Sequence, residues 1–395
     1  MAKIIYVDNN ATTQVAPEVV ESMIPYLGEY YGNPSSIHAF GGDVGLKLKE
    51  ARRELSDLIG ADPEELVFTS CGTESDSTAI RSALKAQPDK RHIITTSVEH
   101  PAVKNLVEQL GKEGYRTTTV PVDSKGRLDL VYLYQNLSDD TAVVSVMWAN
   151  NETGVIFPIE EIAGKVKEKG ILFHTDAVQA VGKIPIDVHK LDIDMLSLSG
   201  HKLHAPKGVG VLYVKKGTTF SPFLMGGHQE HGRRAGTENV ASIIALGKAA
   251  RFTAAHMEEE NTRVRQLRDK LENALLDKIP HSMVNGDPEN RLPNTTSIAF
   301  EFVEGESILM LMDQHGICAS SGSACTSGSL EPSHVLRAMN VPFTAAHGSI
   351  RFSLSVFNTE AEIDFIVEKL PPIIERLRKM SPFWEDAQLK DRMIT

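Results

Sequence analysis

Ser197-Leu198-Ser199-Gly200-His201-Lys202-Leu203-His204-Ala205-Pro206-Lys207-Gly208 is the stretch on which the reading of this chain turns. The apolar run from Met195 to Leu198 reads as a strand, and glycine and proline punctuate the loop after it. Lys202 therefore stands just past a strand end, among hydroxyl and imidazole donors suited to a phosphate. Such a lysine can hold a phosphorylated carbonyl cofactor as a Schiff base. By itself it would be an ordinary surface lysine. A second strand end upstream changes that. In Ile171-Leu172-Phe173-His174-Thr175-Asp176-Ala177-Val178-Gln179-Ala180 a short apolar strand ends at an acid, with Gln179 soon after. In pyridoxal phosphate sites an acid pairs with the protonated pyridine nitrogen while lysine holds the aldehyde carbon. The carboxylate keeps the ring cationic, so that it can accept electrons.

Outward from these two strand ends, short apolar runs alternate with helical stretches. The runs Leu66–Thr69, His92–Ser97, Arg116–Pro121, Thr141–Met147, Ile171–Thr175, Met195–Leu198 and Val209–Val214 predict an α/β domain. Its sheet should have seven strands, be mostly parallel and carry helices on both faces. Helices are expected at Pro17–Tyr31, Gly42–Ile59 and Ser75–Leu84, and one long or two abutting helices at Val240–Ile279. The charge run His256–Asn261 reads as a solvated helix face. A smaller α+β domain should hold strands at Thr296–Phe302 and Ser349–Leu354 and helices at Ser307–Gln314 and Thr359–Lys379. The expected division is 1–15 with the small domain, 16–260 for the large domain, 261–382 for the small domain and 383–395 as a tail. A chain of 395 residues exceeds the ~250–300 at which one core stops growing, so two domains are the natural expectation.

Hydrophobic residues at 41% and charged residues at 24% are ordinary for a globular protein, and no run is apolar enough to span a bilayer. A net charge of −11 argues against nucleic acid or an anionic membrane as the main partner. Three cysteines without a framework spacing, and an N-terminus without a signal-peptide core, lead to the expectation of a cytoplasmic protein with free thiols.

The chain resembles the nitrogen-fixation type (NifS-like) cysteine desulfurases of the class V aminotransferase group. The resemblance rests on Asp8-Asn9-Asn10-Ala11-Thr12-Thr13, Gly32-Asn33-Pro34-Ser35-Ser36, Gly72-Thr73-Glu74-Ser75, Glu99-His100 and Asn150-Asn151-Glu152-Thr153-Gly154. It continues through His174-Thr175-Asp176-Ala177, Ser199-Gly200-His201-Lys202, Arg234-Ala235-Gly236-Thr237-Glu238-Asn239 and Ser321-Gly322-Ser323-Ala324-Cys325. These motifs cover essentially the whole chain. The resemblance implies the fold type I architecture of pyridoxal phosphate enzymes, a homodimer, and release of alanine from L-cysteine with a persulfide left on Cys325. Sulfur would then pass to a scaffold protein for iron–sulfur cluster assembly, for nitrogenase or more generally. Cys325 could through its persulfide be a transient iron–sulfur ligand. Alternatives are a selenocysteine lyase or aminotransferase on the same scaffold. A metal or cluster carrier using Cys318, Cys325 and nearby histidines is a third, although that cysteine spacing fits no usual zinc pattern.

The site residues come from residue chemistry and resemblance together. Gly72 and Thr73 follow a strand and open a helix expected from Ser75, whose free N–H groups favour an anion; a capping box of Thr73 with Asp76 is the other reading. Ser199 and His201 would close that phosphate cradle, and by resemblance Thr237 reaches it from the neighbouring subunit. His100 follows another strand; by resemblance its imidazole stacks on the cofactor ring and serves as acid or base, and Gln179 bonds the ring's phenolic oxygen. Arg351, in an apolar strand, needs a partner. A substrate carboxylate suits its planar fork and a structural salt bridge is the alternative. Asn33 and Asn150 are the family's supporting amides. Cys325 lies among Ser, Gly and Ala, where a thiol would be accessible and reactive. Cys71, at a helix start, is its rival, and Cys318 reads as a core residue.

Overall fold

A computed structural model describes residues 4–321, 332–382 and 384. Seven strands form the main sheet, in the spatial order Leu66–Thr69, Gly210–Val214, Met195–Ser199, Leu172–Asp176, Thr141–Ser145, His92–Thr96 and Arg116–Val120. The last five in that order are parallel. Gly210–Val214 runs against both its neighbours. Most of these strands are buried residue for residue, which is why they read as continuous apolar runs rather than as alternating ones. Arg116–Val120, at the edge, is largely exposed, and its sequence is correspondingly rich in threonine.

A second, four-stranded antiparallel sheet has the order Ser320–Ser321, Ser349–Ser353, Thr295–Phe300, Ser282–Val284. It packs with the helices Arg265–Lys278 and Glu360–Met380 around its own apolar cluster, which includes Leu271, Ile298, Phe300, Ile350, Phe352 and Ile366. The N-terminal strand Ile5–Tyr6 belongs to this side of the molecule. It pairs in parallel with Ile317–Cys318, and Asp8 bridges to Ser353.

Several expected helices have different bounds. Pro17–Tyr31 is instead Pro17–Met23 followed by Pro25–Gly28, because Pro25 brings no N–H to continue the ladder. The helix expected from Ser75 begins at Gly72, so Gly72 and Thr73 lie in its first turn. The stretch after Val240 forms Val240–Ala255, a short turn Met257–Glu259, a π-helical turn Glu260–Val264 and then Arg265–Lys278. The charge run is not wholly solvated, since Glu260 is buried. None of the described helices is long and apolar enough to cross a membrane.

Candidate active site

The carboxyl ends of the parallel strands open onto one cavity, of about 880 Å³ including its mouth. Open α/β sheets bind ligands at this edge, where the loops after the strands diverge. The cavity is lined by nine of the expected residues: Gly72, Thr73, His100, Asp176, Gln179, Ser199, His201, Lys202 and Arg351. The N-terminal polar turn closes one side. Lys202 donates from Nζ to the carbonyls of Asn10 and, at 2.8 Å, Ala11. Gln179 Nε2 donates to the same Asn10 carbonyl at 2.9 Å. Thr13 binds the His201 carbonyl through N–H and Oγ1, each at 2.9 Å. Segments almost two hundred residues apart thus fix the lysine loop.

Burial, followed by the Arg351 and Lys183 cations, pushes the Lys202 ammonium down to about 7. Burial pushes Asp176 up to about 6, opposed by the Val178 N–H, 2.9 Å from Oδ1, and by Lys202. Asp76 stands next to it; burial raises this acid well above the usual range, and the Asp176 charge adds to that. Of the two, Asp176 is the better partner for a cation. His100 caps the helix Pro101–Lys112, its Nδ1 accepting from Ala102 N–H at 3.2 Å. That contact directs the other ring nitrogen elsewhere. Desolvation at the site, with Lys202 beside it, lowers the imidazole from its usual value and leaves it neutral; because Nδ1 accepts from Ala102, the ring proton sits on Nε2, which can donate.

The residues fit pyridoxal phosphate. Ser199 Oγ and Gln179 Oε1 are buried atoms with no hydrogen-bond partner among the described residues, and both residues line the cavity. Buried polar atoms left open in this way call for a polar ligand. At Gly72 a Cβ would come within 2.9 Å of Val178 Cγ2, so glycine keeps the backbone of the helix start close to the Asp176 loop. The helix Gly72–Ala86 directs its unpaired N–H groups to the same space.

Arg351 is almost fully buried, with Nη2 on Asp8 Oδ1 at 2.6 Å and Nη1 on the Asn151 carbonyl at 3.0 Å. Its Nε has no partner among the described residues. Both readings of Arg351 therefore meet in one place, a salt bridge and an open donor. Asn150 does not line the cavity. Its Oδ1 accepts from the N–H groups of Glu152 and Thr153, each at 2.9 Å, and its Nδ2 donates to the Val98 carbonyl at 3.0 Å. It shapes the loop, and its neighbour Asn151 reaches the cavity. Asn33 accepts from Ser35 N–H at 2.9 Å, away from the cavity lining. Thr237 lies on the segment between Gly232 and Val240 and does not line the cavity of its own chain. Cys325 lies outside the described residues. Cys71 lines the cavity, while Cys318 is only partly buried, at the strand that pairs with Tyr6. Sequence reading missed Asp8, Asp76 and Asn151 as site residues. Asp8 and Asn151 stand inside quoted motifs, but their contacts cross some two to three hundred residues of chain and have no local signature.

The chain matches the Aminotransferase class-V family model over residues 5–366. It belongs to the class V aminotransferases. Within that family it falls among the cysteine desulfurases. It is 62% identical over 381 residues to a protein of Azotobacter vinelandii, Cysteine desulfurase NifS, covering 96% of this chain and 95% of the relative. A cysteine desulfurase of Gluconacetobacter diazotrophicus is 59% identical over 385 residues, covering 97% and 96%. Among solved structures, a NifS-like protein superposes with a TM-score of 0.89 at 39% identity, over 95% of this chain and 100% of its own. SspA, solved in complex with cysteine, gives 0.79 at 33% identity over 90% and 99%. The class V aminotransferase has fold type I and depends on pyridoxal 5'-phosphate, a group that the cavity's residues fit.

Proposed function

We propose that this protein converts L-cysteine to L-alanine and retains the sulfur as a persulfide on Cys325. The observation that carries the reading is the convergence of Lys202, Asp176 and Arg351 on a single cavity. Lys202 would hold pyridoxal phosphate covalently, with Asp176 at the ring nitrogen, His100 over the ring, Gln179 at the phenolic oxygen, and Gly72, Thr73, Ser199 and His201 around the phosphate. The bound cofactor supplies an electron sink conjugated to the substrate Cα. The Arg351 Nε receives the substrate carboxylate, and Asp8 and Asn151 fix the guanidinium plane. Asn150 supports that end of the site through the loop it shapes, and a role for Asn33 rests on the family resemblance alone. Lys202, once released, takes the Cα proton and returns one later. The Cys325 thiolate attacks the substrate sulfur: an S–S bond forms as the C–S bond breaks. The pair released from C–S ends, with a proton, on alanine.

Mass spectrometry after incubation with cysteine should find one added sulfur on the peptide containing Cys325, removable by a thiol reductant. Cys325→Ala should retain cofactor and cysteine binding but stop alanine release. Sulfur on Cys71 instead, or normal alanine release by the variant, would overturn the assignment.

The same reading makes the protein a cytoplasmic homodimer in which Thr237 of each chain completes the other's phosphate site. A reducing compartment would keep its cysteines as thiols. The sulfur acceptor would be an iron–sulfur scaffold protein, with Cys325 a transient ligand to nascent iron. Residues 16–260 form the cofactor domain, and 1–15 with 261–382 the smaller one. That division is supported by the two sheets and by the second apolar cluster, while Leu292, Val335, Leu336, Met339 and Ala346 pack into the main cluster.

A further inference from the structure

A second, smaller cavity shares Lys202 with the first, and Lys183, His204, His256 and Glu260 also line it. It has room for about two waters. Lys183 is 6% exposed and Glu260 7%. Among the described residues no acceptor reaches Lys183 Nζ. A buried ammonium without an acceptor is costly, so its position needs a reason.

The position is built with care. Gly182, at φ +79°, precedes Lys183, and any side chain there would run into Thr253 and Leu203. The Lys183 carbonyl accepts from Asn261 Nδ2 at 2.8 Å. The π-helical turn Glu260–Val264 interrupts the register of the surrounding helices and leaves Glu260 and Val264 buried. Such turns recur at functional sites. Burial pushes Lys183 down to about 8, and the charge of Glu260 opposes that. Burial pushes Glu260 up to about 7, opposed first by Lys183. The groups facing Lys183 are Glu260 and His256 from the helical segment and His204 and Lys202 from the lysine loop. Arg351, Asp8 and Asp176 act on Lys202 from the cofactor side.

We propose that Lys183, countered by Glu260, is a positioning residue for proton transfer: its buried charge keeps the Lys202 amine ready to give up its proton. The inference rests on Lys202 being the cofactor lysine. A released amine must be neutral before it can accept the Cα proton, and a fixed cation nearby makes it a weaker base.

The test is the pH dependence of trace acetylation of Lys202 in the full-length protein freed of cofactor, read by mass spectrometry of the Lys202 peptide. In the wild type the midpoint should lie well below the ordinary lysine value of about 10.4. Lys183→Met should move it to higher pH by about one unit, and Lys183→Arg should leave it in place. Glu260→Gln, which removes the charge that helps to hold the proton on Lys183, should also displace the midpoint, and an unmoved midpoint counts against the proposal. The pH profile of alanine formation by the holoenzyme should shift likewise, with KM for cysteine unchanged. Glu260→Gln, near-isosteric, keeps the test open if Lys183→Met fails to fold. Profiles of the variants superimposed on the wild type, or a wild-type midpoint at the ordinary value, overturn the proposal. Borohydride fixation of the cofactor is scored separately: its absence from Lys202 removes the cofactor assignment, whereas the acetylation profiles bear on Lys183 alone.

Discussion

Replacing Arg351 by lysine tests the open donor on which the proposed substrate recognition rests. In the wild type two of the three guanidinium nitrogens are engaged, Nη2 by Asp8 and Nη1 by the Asn151 carbonyl. On the proposed function the unpartnered Nε receives the carboxylate of cysteine. A lysine can keep the Asp8 contact as a point charge but cannot hold both that contact and a fixed N–H toward the substrate. The loss is therefore about one hydrogen bond to a charged group, roughly 1.5–3 kcal/mol. At about 1.4 kcal/mol per tenfold, that corresponds to a KM for cysteine raised about ten- to hundred-fold. Because the bond is made equally before and during the chemistry, kcat should change much less. Initial rates of alanine formation across a wide range of cysteine concentration give both constants, and a thermal melt checks that the buried pair with Asp8 survives. A normal KM combined with a depressed kcat would refute the argument, since Arg351 would then act on the reacting atoms or only on the fold.

Lys202→Ala should abolish fixation of the cofactor by borohydride while Asp176 and the phosphate cradle still retain some of it; covalent fixation in the variant would name another lysine as the anchor. Asp176→Ala should lower turnover by at least about 10²-fold, the lower bound for a group that stabilises charge in the transition state, and near-normal alanine formation would remove it from the mechanism. Glu99, whose carboxyl burial pushes up to about 8, binds its proton more tightly folded than unfolded. Its contribution to wild-type stability should thus fall as pH rises from about 4.3 toward 8. Glu99→Gln removes that slope, so the stability gap between variant and wild type should move in the variant's favour between about pH 5 and 8; parallel melting curves would contradict the sign. Mixing Thr237→Ala and Lys202→Ala chains should give hybrids whose affinity for pyridoxal phosphate differs from either parent, and a fully active monomer in sedimentation would exclude a shared site.

The parts of the fold that are legible in the sequence are those with a local signature. Lys202 and Asp176 stand at the ends of short, buried strands, and a run such as Met195–Ser199 announces a central strand by composition alone. The helix opening near Gly72 is legible too, but its first residue is not, because residues in a first turn carry little apolar periodicity. The break at Pro25 is written in the sequence and is masked by the apolar spacing around it. Asn150 illustrates a subtler limit. Two adjacent asparagines in a loop look alike as text, and only the turn geometry decides which amide is spent on backbone N–H groups and which faces the cavity.

Glu260 marks the deeper reason that some of the site could not be read. In a regular helix the run His256-Met257-Glu258-Glu259-Glu260-Asn261 offers no apolar stripe, so a solvated face is the natural inference. The π-helical turn breaks the assumed period, and Glu260 is buried while Glu259 keeps a surface pair with Arg263 at 2.7 Å. Lys183 is hidden for the same kind of reason: its neighbours come from the lysine loop and from a helix almost eighty residues away. Groups that hold a cofactor must meet it at strand ends, and strand ends are visible in sequence. Groups that tune a charge need only be near it in space, from any element. A site's chemistry is therefore easier to read than its electrostatics. The residues most worth substituting are those, like Lys183, whose burial leaves a charge that no nearby hydrogen bond explains.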